Sequence, residues 1–417
     1  MLKIVTPADS ECQEVTTTLD EIARQGAQRL LAEALQREVA DYIEGSKDER
    51  DENGRALVVR NGKSRSRKVT VGSGTFDIET PRVNDRREGK KFTSNILPPY
   101  LRKSANVESL LPVLYLKGLS GNAFQETLVN ILGEGVSGLS PASISTLKKS
   151  WQRDFEEWKF QKITDRFVYL WADGVNVKIR LGEDKKLCLL VVLGVTETGE
   201  KKLLAVEPGY RESTESWAFV LRDLKTRGLD SPLLAVGDGA LGFWAALRDV
   251  FPQTTEARCW VHKIINVLDK LPKRLQTKAK ELLREMMYAD TKTDAEDTRK
   301  KFEVAFELKH PKAVECLTKD WAQLIRHFDF PAQHWSHIRT TNPIESIFAT
   351  VKLRTRTTKG AGNAQVAATM AFKLMVEAQK RWRRINGIEE LTRLVSGVAY
   401  RDGIVVTAES HREAATC

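Results

Sequence analysis

The chain of 417 residues has no apolar run long enough to cross a bilayer: the longest, Leu187–Val195, is nine residues and already includes Gly194. A spanning helix needs about 20. The first ten residues hold no apolar core of the kind a secretory signal carries. Cysteine is scarce, with five residues (Cys12, Cys188, Cys259, Cys316, Cys417), odd in number and irregular in spacing. That argues against a disulfide framework and for a reducing compartment. A cytoplasmic protein with no membrane partner is expected. Internal repeats and low-complexity tracts are absent, which excludes a solenoid or a disordered linker protein. What is present is 41% apolar and 29% charged, a soluble composition with core material for two or three domains.

Charge of one sign is in excess. Sixty-six Lys and Arg against 56 Asp and Glu leave +10, a surplus that favours polyanionic partners. It is also unevenly spread. Asp41–Glu52 is acidic, Arg55–Lys103 holds 13 basic residues against four acidic, and Lys352–Arg384 holds nine against Glu377 alone. Two separated basic segments around a near-neutral middle suggest a long ligand touched in more than one place.

Apolar residues at helical spacing (Leu19, Ile22, Ala23, Leu30, Leu31, Ala34, Leu35) predict a helix over 18–45. Val69–Pro81 alternates like two short strands about a Gly-Ser-Gly turn, and a basic, Pro-containing linker runs on to Pro98-Pro99. Residues 107–158 read as three helices, broken at Gly118 and at Gly133-Glu-Gly, the third capped by Ser140 before Pro141. Helix, Gly-containing break, helix is the pattern of a helix-turn-helix, whose last helix enters the major groove. A plain three-helix packing unit fits the same pattern.

The middle of the chain changes character. Strands are predicted from Phe167, interrupted at Asp173-Gly174, and over Leu187–Thr196 and Lys202–Val206. A helix over Ser213–Arg227, a strand at Leu233–Val236, a helix over Ala240–Val250 and a short strand at Glu256–Trp260 follow. This order describes a mixed α/β sheet. From Lys263 to about Phe328 the chain reads as helical, Lys-rich and strand-free, like an insertion.

Three carboxylates stand out. Asp173-Gly174 and Asp238-Gly239 sit where strands break or end, within very apolar surroundings (Tyr169-Leu-Trp-Ala and Leu233-Leu-Ala-Val-Gly). Each pair is an ordinary turn dipeptide, but a carboxylate in a buried strand needs a partner or a cation. Glu345 lies three residues after Asn342 and two after Pro343, which reads as a capping box. Lys352, two turns further on the same face, leads into Arg354 and Arg356, so a carboxylate stands beside a basic, phosphate-binding run.

These residues resemble the bacterial Mutator-type DDE transposases over almost the full chain. The resemblance is carried by Trp171-Ala-Asp-Gly, Val236-Gly-Asp-Gly-Ala, Arg258-Cys-Trp-Val-His-Lys and His337-Ile-Arg-Thr-Thr-Asn-Pro-Ile-Glu-Ser, with Thr75-Phe-Asp-Ile-Glu-Thr-Pro-Arg upstream. Order and spacing agree too: 65 residues lead from Asp173 to Asp238 and 107 more to Glu345. The resemblance implies an α/β fold: a ribonuclease H-like mixed-sheet catalytic core interrupted by an all-helical insertion, preceded by a mainly helical N-terminal DNA-binding region. The divisions implied are 1–105 (helix and hairpins), 106–162 (helix-turn-helix-like), 163–263 (core, first part), 264–335 (insertion), 336–400 (core, last part) and 401–417 (tail).

It further implies Asp173, Asp238 and Glu345 as a catalytic triad binding two Mg²⁺ ions, with Mn²⁺ able to substitute. Two hard ions about 3.5–4 Å apart activate an oxygen nucleophile and stabilise a leaving oxygen, so no catalytic Ser or Tyr is sought. The implied partner is double-stranded DNA, both the element's terminal inverted repeats and the target, held by a homodimer in the bacterial nucleoid. Candidate DNA contacts are Arg258, His262, Lys263, His337, Arg339, Asn342, Lys352, Arg354 and Arg356. As zinc ligands, Cys259 and His262 would need two more, and no second Cys/His pair is suitably spaced. Cys259 on a strand is otherwise a core residue, His334 and Trp335 read as core or surface, and Trp321 as a core residue or a base-stacking platform. A nuclease that cuts without joining, or a domesticated DNA-binding regulator, are the alternatives.

Overall fold

The computed structural model describes residues 9–116, 121–132, 136, 141–181, 186–209, 213–239, 241–357 and 359–406. The expected breaks at Gly118 and Gly133-Glu-Gly, the cap at Ser140, the helix start at Ala240 and the tail beyond 406 lie outside them. The chain forms two compact units, Met1–Lys149 and Ser150–Cys417.

The first unit begins with α1 (Asp9–Glu44), followed by β1 (Val58–Lys63), β2 (Arg67–Val71), β3 (Gly74–Ile78) and β4 (Pro81–Asp85). β2 and β3 form the hairpin expected around Gly72-Ser73 and bury Val69, Phe76 and Ile78 against Leu35 of α1 and Leu97. β1 pairs with β4 in a second ladder, Val58 opposite Asp85, that pattern did not suggest. Part of the basic run is spent inside this unit. Arg87 donates to Asp85, Tyr42 and Ser46, and Arg67 to the Leu97 and Pro98 carbonyls. Helices α2 (Ala105–Leu116), α3 (Gly121–Leu132) and α4 (Pro141–Lys159) fall where three were expected.

The second unit is built on a five-stranded mixed sheet. In chain order it contains β5 (Phe167–Lys178), β6 (Lys186–Thr196), β7 (Lys201–Gly209), α5 (Thr214–Thr226), β8 (Leu234–Gly237), α6 (Leu241–Val250) and β9 (Thr255–Arg258). The strand order is β7-β6-β5-β8-β9, antiparallel from β7 to β5 and parallel from β5 to β9. Contrary to the sequence pattern, Asp173-Gly174 does not interrupt β5; both residues pair with β6, Asp173 opposite Val191. Strand alternation then assigns the faces. Leu170, Ala172, Leu190, Val192 and Ala235 point into a core closed by Trp217, Leu221 and Leu224 of α5 and Phe243 and Leu247 of α6. Each fully buried Leu or Val in this layer contributes about 1.5–3 kcal/mol.

A helical stretch follows: α7 (Trp260–Leu268), α8 (Lys273–Met287), α9 (Lys292–Phe306), α10 (Pro311–Thr318) and α11 (Trp321–Leu324). The expected strand at 256–260 therefore ends at Arg258, and Cys259 is the N-cap residue of α7 instead of a strand residue. Trp321 is 7% exposed, set edge-on to Trp260 and beneath the Arg299 guanidinium. It is a packing residue, and the base-stacking option falls. The chain returns to the sheet through α12 (Trp335–Ile338), α13 (Asn342–Thr357), α14 (Ala364–Gln379) and α15 (Ile388–Val395), then a short hairpin, β10 (Tyr400–Arg401) and β11 (Ile404–Val405). α13 packs on β5 and α14 on β7, across the sheet from α5 and α6. Among the described residues no helix is long and apolar enough to cross a membrane.

Candidate active site

Register brings the first two carboxylates together. β5 and β8 run parallel and pair from Tyr169–Leu234 to Ala172–Gly237, where β8 ends. Asp173 and Asp238 are the next residue on each strand. β9 extends the pattern, since its last pair sets Gly237 opposite Arg258, and the next residue is Cys259. Asp238 and Cys259, just past the carboxyl ends of β8 and β9, thus lie level with Asp173, which sits within β5 where its pairing with β8 stops; open α/β sheets place their chemistry at such carboxyl ends. Alternation turns Asp173 to the same face as Tyr169 and Trp171, toward α13.

Glu345 comes from the first turn of α13, and several contacts fix where that turn lies. The Trp260 N–H donates to the Arg339 carbonyl at 3.0 Å, and the Trp171 indole N–H donates to the His337 carbonyl at 3.1 Å. Ile344, Ile347, Phe348 and Val351 are buried on the inner face of the helix. The capping box expected from Asn342 does not form. α13 starts at Asn342, so the cap position is Thr341, and its hydroxyl donates to Glu345 Oε1 at 2.6 Å. Glu345 is therefore held by a hydroxyl at its own helix start and has not folded back on the Asn342 backbone. His262, one turn into α7, sets its Nδ1 3.8 Å from Glu345 Oε1.

The electrostatics follow from crowding in a poorly solvated place. Asp173 is 7% exposed. Burial, then the Asp238 and Glu345 charges, push its carboxyl up to about 7, opposed by His262 and by the Gly174 N–H, which donates to Asp173 Oδ1 at 2.7 Å. Conversely His262 is raised to about 9 by its contact with the Cys259 sulfur and by the Asp173 and Glu345 charges. Three carboxylates sharing one neighbourhood, opposed by the His262 imidazole, form an anionic pocket that a cation relieves. Their donors are oxygens, the type that hard divalent ions take.

The basic candidates divide. Lys352 and Arg356 are exposed on α13, and Asn342 is exposed at its start. Arg354, by contrast, is 4% exposed and belongs to the interior. Lys263 is a correction: it is 2% exposed, and its ammonium donates at 2.6 Å both to Asp320 Oδ2 and to the Cys316 carbonyl. Arg258 shares that partner, 2.9 Å from Asp320 Oδ2. It also lies over Gly239 (φ +92°), where a Cβ would come within 1.5 Å of the guanidinium. Arg258, through Asp320 and the Gly239 carbonyl, bolts the helical stretch to the Asp238 loop, while Lys263 ties α7 to α10 and Asp320 within that stretch. Arg339 donates to the Met287 and Trp335 carbonyls and covers the Tyr288 ring, so it too is engaged internally. His337 accepts from the Asn386 N–H, and burial lowers it to about 4, so it carries no charge at pH 7. His334 bridges the Tyr169 hydroxyl (2.7 Å) and the Gly387 carbonyl (2.9 Å) as a satisfied core residue, and Trp335 is buried beside it.

Thr341 and Asp320 were not singled out from sequence. For Thr341 a signal existed: Asn342-Pro343 opens a helix, so the residue before it can cap. Asp320 carries no local signal, because its partners lie 57 and more residues earlier in the chain.

With this geometry in view, comparison with known proteins is decisive at the level of family. The profile described as "Transposase, Mutator family" matches residues 3–385, and the chain belongs to that family. It is 47% identical over 299 residues to the transposase for insertion sequence element IS6120 of Mycolicibacterium smegmatis, covering 71% of this chain and 92% of that one. The transposase for insertion sequence element IST2 of Acidithiobacillus ferrooxidans is 45% identical over 281 residues, 67% of this chain and 95% of the relative. A more distant relative, the transposase for insertion sequence element ISRM5 of Rhizobium meliloti, is 24% identical over 376 residues, or 87% and 89% of the two chains.

Proposed function

We propose that this chain is the DNA transposase of an insertion sequence, which binds the element's terminal inverted repeats, cleaves DNA strands at its ends and joins them to a target. The observation that carries the reading is the convergence of Asp173 from within β5, Asp238 from the end of the parallel strand β8 and Glu345 from the start of α13. The mixed sheet with antiparallel β7-β6-β5 and parallel β5-β8-β9 supports a ribonuclease H-like core, and the helical stretch from α7 to α11 supports an insertion within it.

The donor set fits magnesium. Bound by the three carboxylates, two Mg²⁺ ions would supply an activated oxygen nucleophile and a stabilised leaving oxygen. The protein's own groups prepare that site. Burial keeps water from screening Asp173; the Thr341 hydroxyl holds Glu345 in one orientation; His262 offsets the negative charge before a cation arrives. Arg258, clamped by Asp320, fixes the Asp238-Gly239 loop from behind. Lys352 and Arg356 on the exposed side of α13 are suited to a phosphate backbone running past Glu345. The basic segment of the first unit and helices α2 to α4 suit end recognition, and two ends held together require at least a homodimer on DNA.

Incubating purified protein with Mg²⁺ and a supercoiled plasmid bearing the element's ends tests this. New 3′-hydroxyls are expected at the ends with the wild type and none with Asp238→Asn. Nicks scattered without regard to the ends would support a nuclease. Tight end binding with no cleavage would support a regulator.

A further inference from the structure

Beside the three carboxylates lies a second constellation with different donor chemistry. The Cys259 sulfur, a His262 ring nitrogen and a Glu345 carboxylate oxygen all lie within 4.8 Å of one another. The Thr341 hydroxyl stands among them, 3.3 Å from Cys259 Sγ, 3.4 Å from His262 Nδ1 and 2.6 Å from Glu345 Oε1. Sulfur, nitrogen and carboxylate oxygen gathered in this way are three donors of the kind a tetrahedral site uses. A four-coordinate zinc ion with bonds of about 2.0–2.3 Å has ligand-to-ligand edges of about 3.3–3.8 Å, and the 3.8 Å between His262 Nδ1 and Glu345 Oε1 falls on such an edge. The two ligands that a Cys-x-x-His pair lacks locally arrive from the start of α13. Cys259 is fully buried, while His262 and Glu345 are about one-third exposed, which gives an ion a route in.

We propose that Cys259, His262 and Glu345 form a site for a thiophilic divalent ion of the Zn²⁺, Co²⁺ or Cd²⁺ class, with the Thr341 hydroxyl or a water as fourth ligand. Sulfur and imidazole select such ions over Mg²⁺. Binding makes one bond each to sulfur, nitrogen and carboxylate oxygen, and the thiol proton, with the imidazole proton where present, leaves to solvent. A thiophilic ion held here competes with the carboxylate triad for Glu345 and so blocks strand cleavage. That consequence rests on the function proposed above; the binding does not.

The test is Co²⁺ titration of the full-length, metal-free protein in excess Mg²⁺. A stoichiometric tetrahedral ligand-field spectrum with a thiolate-to-cobalt charge-transfer band is expected. The band should vanish in Cys259→Ser, with Co²⁺ affinity down at least about tenfold, and persist in Asp238→Asn, which spares the site. Should Cys259→Ser misfold, His262→Ala, at a partly exposed position, provides the same comparison. An octahedral spectrum alone, or a charge-transfer band that survives Cys259→Ser, overturns the proposal. Stoichiometric Zn²⁺ should also stop end cleavage by the wild type. A protein that never cleaves leaves the spectroscopic result standing and counts against the transposase reading instead.

Discussion

Asp173 is a carboxylate set in an apolar strand, with two more carboxylates aimed at the same space. Its pKa is raised above the unfolded value, so it binds a proton more readily folded than unfolded. The stability it contributes is complete below about pH 4 and is lost as pH rises through about 7. Asp173→Asn keeps the acceptor for the Gly174 N–H and removes the charge. Metal-free Asp173→Asn should therefore be more stable than the wild type at pH 8 by on the order of 1–3 kcal/mol, as read by urea unfolding, with the gap shrinking toward pH 4. An equal gap at both pH values would mean that burial of this charge is not what strains the site. Thr341 makes a different kind of prediction. Thr341→Val removes the hydroxyl that orients Glu345, and cleavage should fall about 10–100-fold with the fold intact. Thr341→Ser should restore it.

At the scale of elements, what was legible in the sequence is what local pattern encodes. The apolar runs of β5, β6 and β8, the amphipathic α5 and the hairpin around Gly72-Ser73 are set by near neighbours. So were Asp173 and Asp238, because an acid within or just beyond a buried strand violates its surroundings, whereas Glu345 was marked by the helix start at Asn342-Pro343. The rest depends on distant pairing. β1 shows one buried residue, Val58, then half-buried Val59 and four exposed positions, and only its partner β4 makes it a strand. Arg258 and Lys263 look like ligands for phosphate until Asp320, from the far side of the helical stretch, is seen to occupy both. That clamp carries its own expectation. Asp320→Asn leaves the buried Lys263 without a counter-charge, at a cost of about 3–5 kcal/mol in thermal or urea unfolding. Adding Lys263→Met should recover much of the loss. No recovery would show that Asp320 acts through Arg258 and the Asp238 loop rather than by neutralising Lys263.

The whole molecule should respond to acid through its buried histidines. His327, fully buried between Phe328 and Trp335 with Nδ1 on the Leu324 carbonyl, is lowered to about 3, His337 to about 4, and His334 is lowered as well. Groups of this kind bind protons better unfolded, so the stability they preserve is present above about pH 6.5 and falls as pH drops toward about 3–4. At pH 5 His327 alone should remove about 2 kcal/mol. Asp173 slopes the other way, so the loss is cleanest in the Asp173→Asn background, where it should be seen between pH 7.5 and 5. A flat profile there would place these side chains in contact with water.

Strand joining tests the central claim, that Asp173, Asp238 and Glu345 act as one metal-dependent site on DNA. A pre-cleaved element end with a free 3′-hydroxyl, mixed with protein, Mg²⁺ and a supercoiled target plasmid, isolates that step from end cleavage. The wild type should covalently join the end to the plasmid. Asp173→Asn, Asp238→Asn and Glu345→Gln should each bind the end as tightly and join none of it. Joining that persists in any one of the three would remove that residue from the site, and with it the account of why these elements converge.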